Sequence, residues 1–117
     1  MPKKYQSQAL FIDGPVGQLE ATLDYQVEEI PIGSAIICHP HPLHGGTMDN
    51  KVAHTLSRAF LKSGYNSLRF NFRGTKNSEG KFGSGIGELD DLLAVIKWVK
   101  TRKHSEILWL AGFSFGA

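Results

Sequence analysis

The stretch whose reading decides the fold is Ile107-Leu108-Trp109-Leu110-Ala111-Gly112-Phe113-Ser114-Phe115-Gly116-Ala117. Five apolar residues in a row suit a strand covered on both faces, as strands of a parallel sheet are. The pentapeptide Gly112-Phe113-Ser114-Phe115-Gly116 follows it directly. Glycine stands there at two positions where a Cβ would clash in a sharp strand-to-helix turn. Such a turn exposes a serine hydroxyl at the top of a sheet, so Ser114 reads as a nucleophile, with Gly112 and Gly116 forming the elbow that presents it. The pentapeptide alone is a weak signal in a chain with 13 glycines; its place at the end of an apolar strand gives it weight.

Upstream, the chain supplies a scaffold for such a strand. Residues 5–13 and 18–27 are β-like and are split by Asp13-Gly14-Pro15-Val16-Gly17, which predicts a hairpin. In the second segment Leu19, Ala21, Leu23 and Tyr25 alternate with polar residues, the period of a strand with one wet face near a sheet edge. Ala35-Ile36-Ile37-Cys38 is apolar without alternation and reads as a central strand. Asp49 or Asn50 caps a helix carrying Val52, Ala53, Leu56, Ala59 and Phe60 on one face, with Gly64 as its stop. Residues 67–72 form the next strand. From Glu88 to about Lys103 a second helix places Leu89, Leu92, Leu93, Ile96 and Val99 on its apolar side. The order β-β-β-α-β-α-β predicts a mostly parallel sheet flanked by helices.

Composition narrows the functional classes. A chain of 117 residues, 41% hydrophobic and 21% charged, has room for one globular domain. Its 13 basic and 11 acidic residues leave a net charge of +2 and are spread along the chain, so neither nucleic acid nor an anionic membrane is indicated as partner. The basic start Met1-Pro2-Lys3-Lys4 precedes no apolar run of signal-peptide or membrane-spanning length. A single cysteine, Cys38, fits a reducing compartment. A cytoplasmic protein acting on a small molecule is expected.

Three blocks together resemble a known family: His39-Pro40-His41-Pro42 with Gly45-Gly46, Leu68-Arg69-Phe70-Asn71-Phe72-Arg73-Gly74, and Gly112-Phe113-Ser114-Phe115-Gly116. Over about residues 18–117 the chain is similar to the first half of an α/β-hydrolase, near the small dienelactone-hydrolase-like bacterial enzymes. The resemblance implies a Ser-Asp-His triad that hydrolyses small carboxylic esters, thioesters or lactones without metal or organic cofactor. Peptidase-like members of the same fold are the neighbouring alternative. In this fold the acid and the histidine follow the serine in chain order. Here His39, His41, His44, His54 and His104 all precede Ser114. Residues 1–117 therefore read as the N-terminal portion of one domain, inactive alone, or as a non-catalytic fragment that binds through an exposed edge. The resemblance places the last strand in mid-sheet, so its exposure invites self-association.

The loop after Cys38 is assigned the oxyanion donor, which must be a backbone N–H facing the carbonyl beside the serine. Pro40 and Pro42 have none. His41 or Leu43 remains, with His41 preferred as the residue two beyond the strand-end histidine, and Phe115 is the second donor because it follows the nucleophile.

The other reactive residue types have plainer readings. Cys38 lies in an apolar strand and reads as a small core residue. Arg69 and Arg73 read as structural ion-pair partners. Glu88, Asp90 and Asp91 sit at a helix start, where carboxylates complement the dipole and stay solvated. A zinc hydrolase is the rival from another class, because His39-x-His41-x-x-His44 offers imidazole ligands. Leucine at position 43 and two prolines weigh against it, and no metal site is assigned.

Overall fold

The computed structural model describes residues 5–39, 46–83, 85–102 and 106–112. Seven elements follow in the expected order: β1 (Tyr5–Gly14), β2 (Gly17–Gln26), β3 (Ser34–Cys38), α1 (Lys51–Lys62), β4 (Asn66–Phe70), α2 (Ile86–Lys100) and β5 (Leu108–Gly112). They build one five-stranded sheet in the order β1-β2-β4-β3-β5. The hairpin pairs β1 with β2, and β2 meets β4 antiparallel. β3 pairs in parallel with β4 on one side and β5 on the other. The sheet is thus mixed, with β2 alone running against the other four strands.

Each helix covers a different face. The chain passes from β3 to β4 through α1 and from β4 to β5 through α2, and the two crossovers step in opposite directions across the sheet. Crossovers of one hand that step in opposite directions must lie on opposite faces. Ala53 of α1 packs with Ala35 and Ile37, while Val95 and Val99 of α2 pack with Ile12, Leu19, Ile36, Leu68 and Phe70. The alternation of neighbours along β3 thus divides its side chains between two cores, and all five of its residues are buried.

The helix ends follow local chemistry. Asn50 is the cap of α1, its side chain accepting the Val52 N–H at 2.8 Å. Gly64, with φ at +95°, takes the left-handed turn that ends the helix. The buried face of α1 consists of Ala53, Ser57 and Leu61, with Leu56 and Phe60 at its flanks, whereas Val52 is exposed. Ser57 sits inside because its hydroxyl donates to Asp24 at 2.7 Å.

α2 departs further from its apolar pattern and ends at Lys100. Leu89 and Leu93, expected to face the core, are each 55% exposed, while Glu88 and Asp91 are buried. Two anchored carboxylates set the helix rotation: 88, 91, 95 and 99 face inward, and the leucines turn outward. The acidic cluster is accordingly not a solvated helix start, Asp90 excepted.

β5 has one strand neighbour among the described residues, β3. Its Trp109 and Leu110 are half exposed, and no charge or proline interrupts residues 107–112. Beside Trp109, on the α1 face, lies an apolar recess of about 340 Å³ lined by Leu56, Phe60 and Tyr65. An edge of this kind lacks the devices that discourage pairing with another chain. We propose that residues 1–117, expressed alone, self-associate through β5. Light scattering should report a mass above that of one chain, and Leu110→Lys should shift it toward one chain; a monodisperse wild-type monomer would contradict the assignment.

Candidate active site

The parallel register fixes where the chemistry-bearing segments leave the sheet. Ser34 lies opposite Leu108, Ile36 opposite Leu110 and Cys38 opposite Gly112. Both strands therefore finish at the same edge and at the same height, with His39 leaving one and Phe113 following the other. Residues 40–45 and 113–117 lie outside the described residues, so the assignments to Ser114, Phe115, Gly116, His41, Leu43 and His44 rest on the sequence. Gly112, the first elbow glycine, is the last residue of β5.

What the structure places around that edge is a set of buried polar side chains. His39 is fully buried; its Nε2 accepts the Phe72 N–H at 3.0 Å, and its ring meets that of Phe72 edge-on at 4.9 Å. An Nε2 that accepts carries no proton. A lone pair directed at an N–H is also not presented to a metal, which weighs against the zinc reading. Among the described residues no group of three or more His, Cys, Asp or Glu is placed to hold a metal ion. Cys38 is buried, and desolvation pushes its thiol up to about 12, so the protonated form prevails at neutral pH and the residue is a core filler.

The two arginines behave as the sequence suggests, with more structure behind them than it reveals. Arg73 meets Asp91 through Nη2 at 2.9 Å and Nε at 3.2 Å, and Asp91 also accepts the Arg73 backbone N–H at 2.9 Å. The Asp91 hydrogen bond holds the guanidinium above its already high ordinary value. Gly87 makes room for this pair, since a Cβ there would lie 2.5 Å from the guanidinium. Glu88 accepts the N–H groups of Gly83 at 2.7 Å and Gly85 at 2.9 Å, tying the glycine-rich loop to the first turn of α2. Arg69 lies 3.5 Å from Asp24 as a charge contact and donates through Nη1 to the Met48 carbonyl at 3.0 Å. Asp24 also accepts from Ser7 and Ser57.

Asn71 is the buried side chain whose part the sequence does not single out. β4 ends at Phe70 rather than at the expected Phe72: Asn71 keeps one backbone bond to β2, its N–H donating to the Glu20 carbonyl, but its own carbonyl accepts from Ser78 Oγ and the Phe72 N–H turns to His39. The signal was present, since an amide between two phenylalanines at a strand exit must be buried and must be satisfied. A cavity of about 620 Å³ lies elsewhere, at the amino ends of β3 and β4 beside Tyr25, Asn66 and Trp98. It is remote from the edge at which β3, β4 and β5 end.

That convergence on one carboxyl edge agrees with comparison to known proteins. The family model of the X-Pro dipeptidyl-peptidase (S15) family matches residues 19–117. The chain belongs to this family of α/β serine hydrolases. An uncharacterized protein of Rickettsia prowazekii is 37% identical over 110 residues, covering 92% of this chain and 45% of that protein. A Xanthomonas campestris α/β serine hydrolase described as having no lid superposes with a TM-score of 0.87 at 45% identity, covering 95% of this chain and 52% of its own. A Coxiella burnetii α/β serine hydrolase homologue gives 0.87 at 49% identity, covering 93% and 52%. The chain spans about half the length of these relatives.

The Arg73–Asp91 pair yields a stability test. Removing one member of a buried pair leaves the other charge uncompensated, at a cost of about 3–5 kcal/mol. Asp91→Ala should therefore lower the urea midpoint by an amount equivalent to that range, while Asp90→Ala, at an exposed position, should change it by less than about 0.5 kcal/mol. Equal effects of the two substitutions would contradict the structural role assigned to Asp91.

Proposed function

We propose that this segment carries the nucleophile and oxyanion loop of a serine hydrolase acting on a small carboxylic ester, thioester or lactone, close in type to the dienelactone-hydrolase-like enzymes. The observation that carries the reading is the β3–β5 register, in which Cys38 lies opposite Gly112. Ser114 follows Gly112 by two residues, and the segment holding His41 and Leu43 begins one residue after His39. A nucleophile and a loop N–H that leave adjacent parallel strands at one height can reach the same carbonyl.

In the proposed reaction the Ser114 Oγ attacks the acyl carbon, and its proton passes to a histidine base held by an acid. The carbonyl oxygen gains charge as the tetrahedral intermediate forms. The N–H of Phe115 and that of His41 or Leu43 hold this oxygen. The leaving alcohol or thiol takes the proton, and water then releases the acid from the serine. In this fold the acid and base follow the nucleophile, in a portion that the relatives possess and residues 1–117 do not include. The domain boundary is accordingly proposed to lie beyond Ala117, and residues 1–117 alone to be inactive.

A second reading has one observation of its own: the family model is described as that of an X-Pro dipeptidyl-peptidase. Under it the same serine cleaves an amide after proline.

The experiment compares residues 1–117, the same segment joined to the second half of its Coxiella burnetii relative, and the joined protein bearing Ser114→Ala. On p-nitrophenyl esters the short chain should be near background and the joined protein active, with Ser114→Ala lowering kcat by at least about 10⁴-fold. Faster cleavage of an alanyl-prolyl anilide than of esters would favour the peptidase reading. Turnover that survives Ser114→Ala and disappears on chelation of zinc would overturn both.

A further inference from the structure

Six residues, 40–45, separate His39 from Gly46, and the first oxyanion donor is placed among them. Their two flanks are gripped by two successive residues at the exit of β4. On the entry side, the Phe72 backbone N–H donates to the fully buried His39 ring. On the exit side, the Asn71 side-chain oxygen accepts the Met48 N–H at 2.8 Å. The Met48 carbonyl is taken up by Arg69 Nη1 at 3.0 Å, so both backbone polar groups of Met48 are held by side chains from β4 and its exit.

Asn71 is itself held on every polar group. Its N–H donates to the Glu20 carbonyl at 2.8 Å, and its carbonyl accepts from Ser78 Oγ at 2.7 Å. Its side-chain Nδ2 donates to Glu20 Oε1 at 2.7 Å. The amide orientation is dictated by these partners: a carboxylate needs a donor and an N–H needs an acceptor. Glu20 is fixed in turn, accepting from Asn77 at 3.0 Å and donating its backbone N–H to Ser78 Oγ at 2.8 Å. Beyond Met48, the Asn50 N–H donates to the Thr47 carbonyl at 3.0 Å, which joins this flank to the cap of α1.

We infer that Asn71, with His39 and Arg69, fixes the two described flanks of residues 40–45, His39 and Met48, and that turnover relying on a donor N–H from those residues depends on this hold. The inference rests on the serine-hydrolase reading above. These three are positioning residues, acting through Met48 and Phe72 and not on the substrate. A fixed donor is worth more than a loose one because no reorganisation is needed as charge develops. A displacement of about 1 Å far from the chemistry can cost about 100-fold. Removing a donor outright costs about 10²–10³-fold.

The test uses the joined protein described above. Asn71→Ala should lower kcat for p-nitrophenyl esters by about 10–100-fold with KM changed by less than about 3-fold, because the lost stabilisation is confined to the transition state. In the same variant the Met48 amide should exchange its hydrogen faster, while amides of β3 keep their protection. A second pair guards against an Asn71 variant that does not fold. His39→Gln places an amide oxygen near the position of Nε2 and should retain most of kcat, whereas His39→Ala should lose it. Faster Met48 exchange with unchanged kcat would overturn the positioning role, as would equal kcat for His39→Ala and His39→Gln. Undiminished turnover in Ser114→Ala would overturn the serine reading itself, whatever the Met48 amide shows, so the two failures remain distinct.

Discussion

The parallel pairing of β3 with β4 on one side and β5 on the other is the constraint on which the rest depends. A strand flanked on both sides and covered on both faces leaves no room for charge, and the five residues of β3 meet that condition. Parallel neighbours require long crossovers, and α1 and α2 are those crossovers, each bringing its own core. Because β3, β4 and β5 point the same way, their exits share one edge of the sheet. Chemistry drawn from segments far apart in sequence can meet there without any one of them making contacts along its length.

Polar groups set the details that apolar packing leaves open. Burial of Val95 and Val99 fixes that α2 lies on the sheet, but Asp91 on Arg73 and Glu88 on the loop N–H groups fix its rotation. Asp24 plays a similar part on the α1 face, where Arg69, Ser57 and Ser7 converge on it. Such networks add little net stability over an apolar core, yet they penalise alternative packings by leaving a buried charge or N–H unpaired. Around the exit of β4 the same principle holds His39 and Met48, on either side of residues 40–45.

Much of this could be read from the residues. The hairpin, the buried strand at 35–38, the Asn50 cap and the Gly64 stop each follow from a local rule that tertiary context left undisturbed. The parallel partnership of residues 107–111 with 35–38 followed from apolar runs in βαβ order. What was illegible depended on partners distant in sequence. The apolar periodicity of α2 pointed to Leu89 and Leu93, and nothing near Glu88 or Asp91 announces that their partners are a loop and an arginine 18 residues earlier. Asn71 lay in plain view, but its hydrogen bonds reach back to Met48 and Glu20, 23 and 51 residues away. Cys38 was correctly read as inert because its environment is the strand itself.

The central claim is that Ser114 and the segment after β3 act on one carbonyl group. The most direct measurement is a crystal structure of the joined protein after reaction with an aryl phosphonate, whose tetrahedral adduct mimics the acyl-transfer intermediate. The account predicts phosphorus bonded to Ser114 Oγ, with the phosphonyl oxygen about 3 Å from the N–H of Phe115 and from that of His41 or Leu43. An adduct on another residue, or a phosphonyl oxygen turned to solvent away from the 40–45 segment, would contradict it.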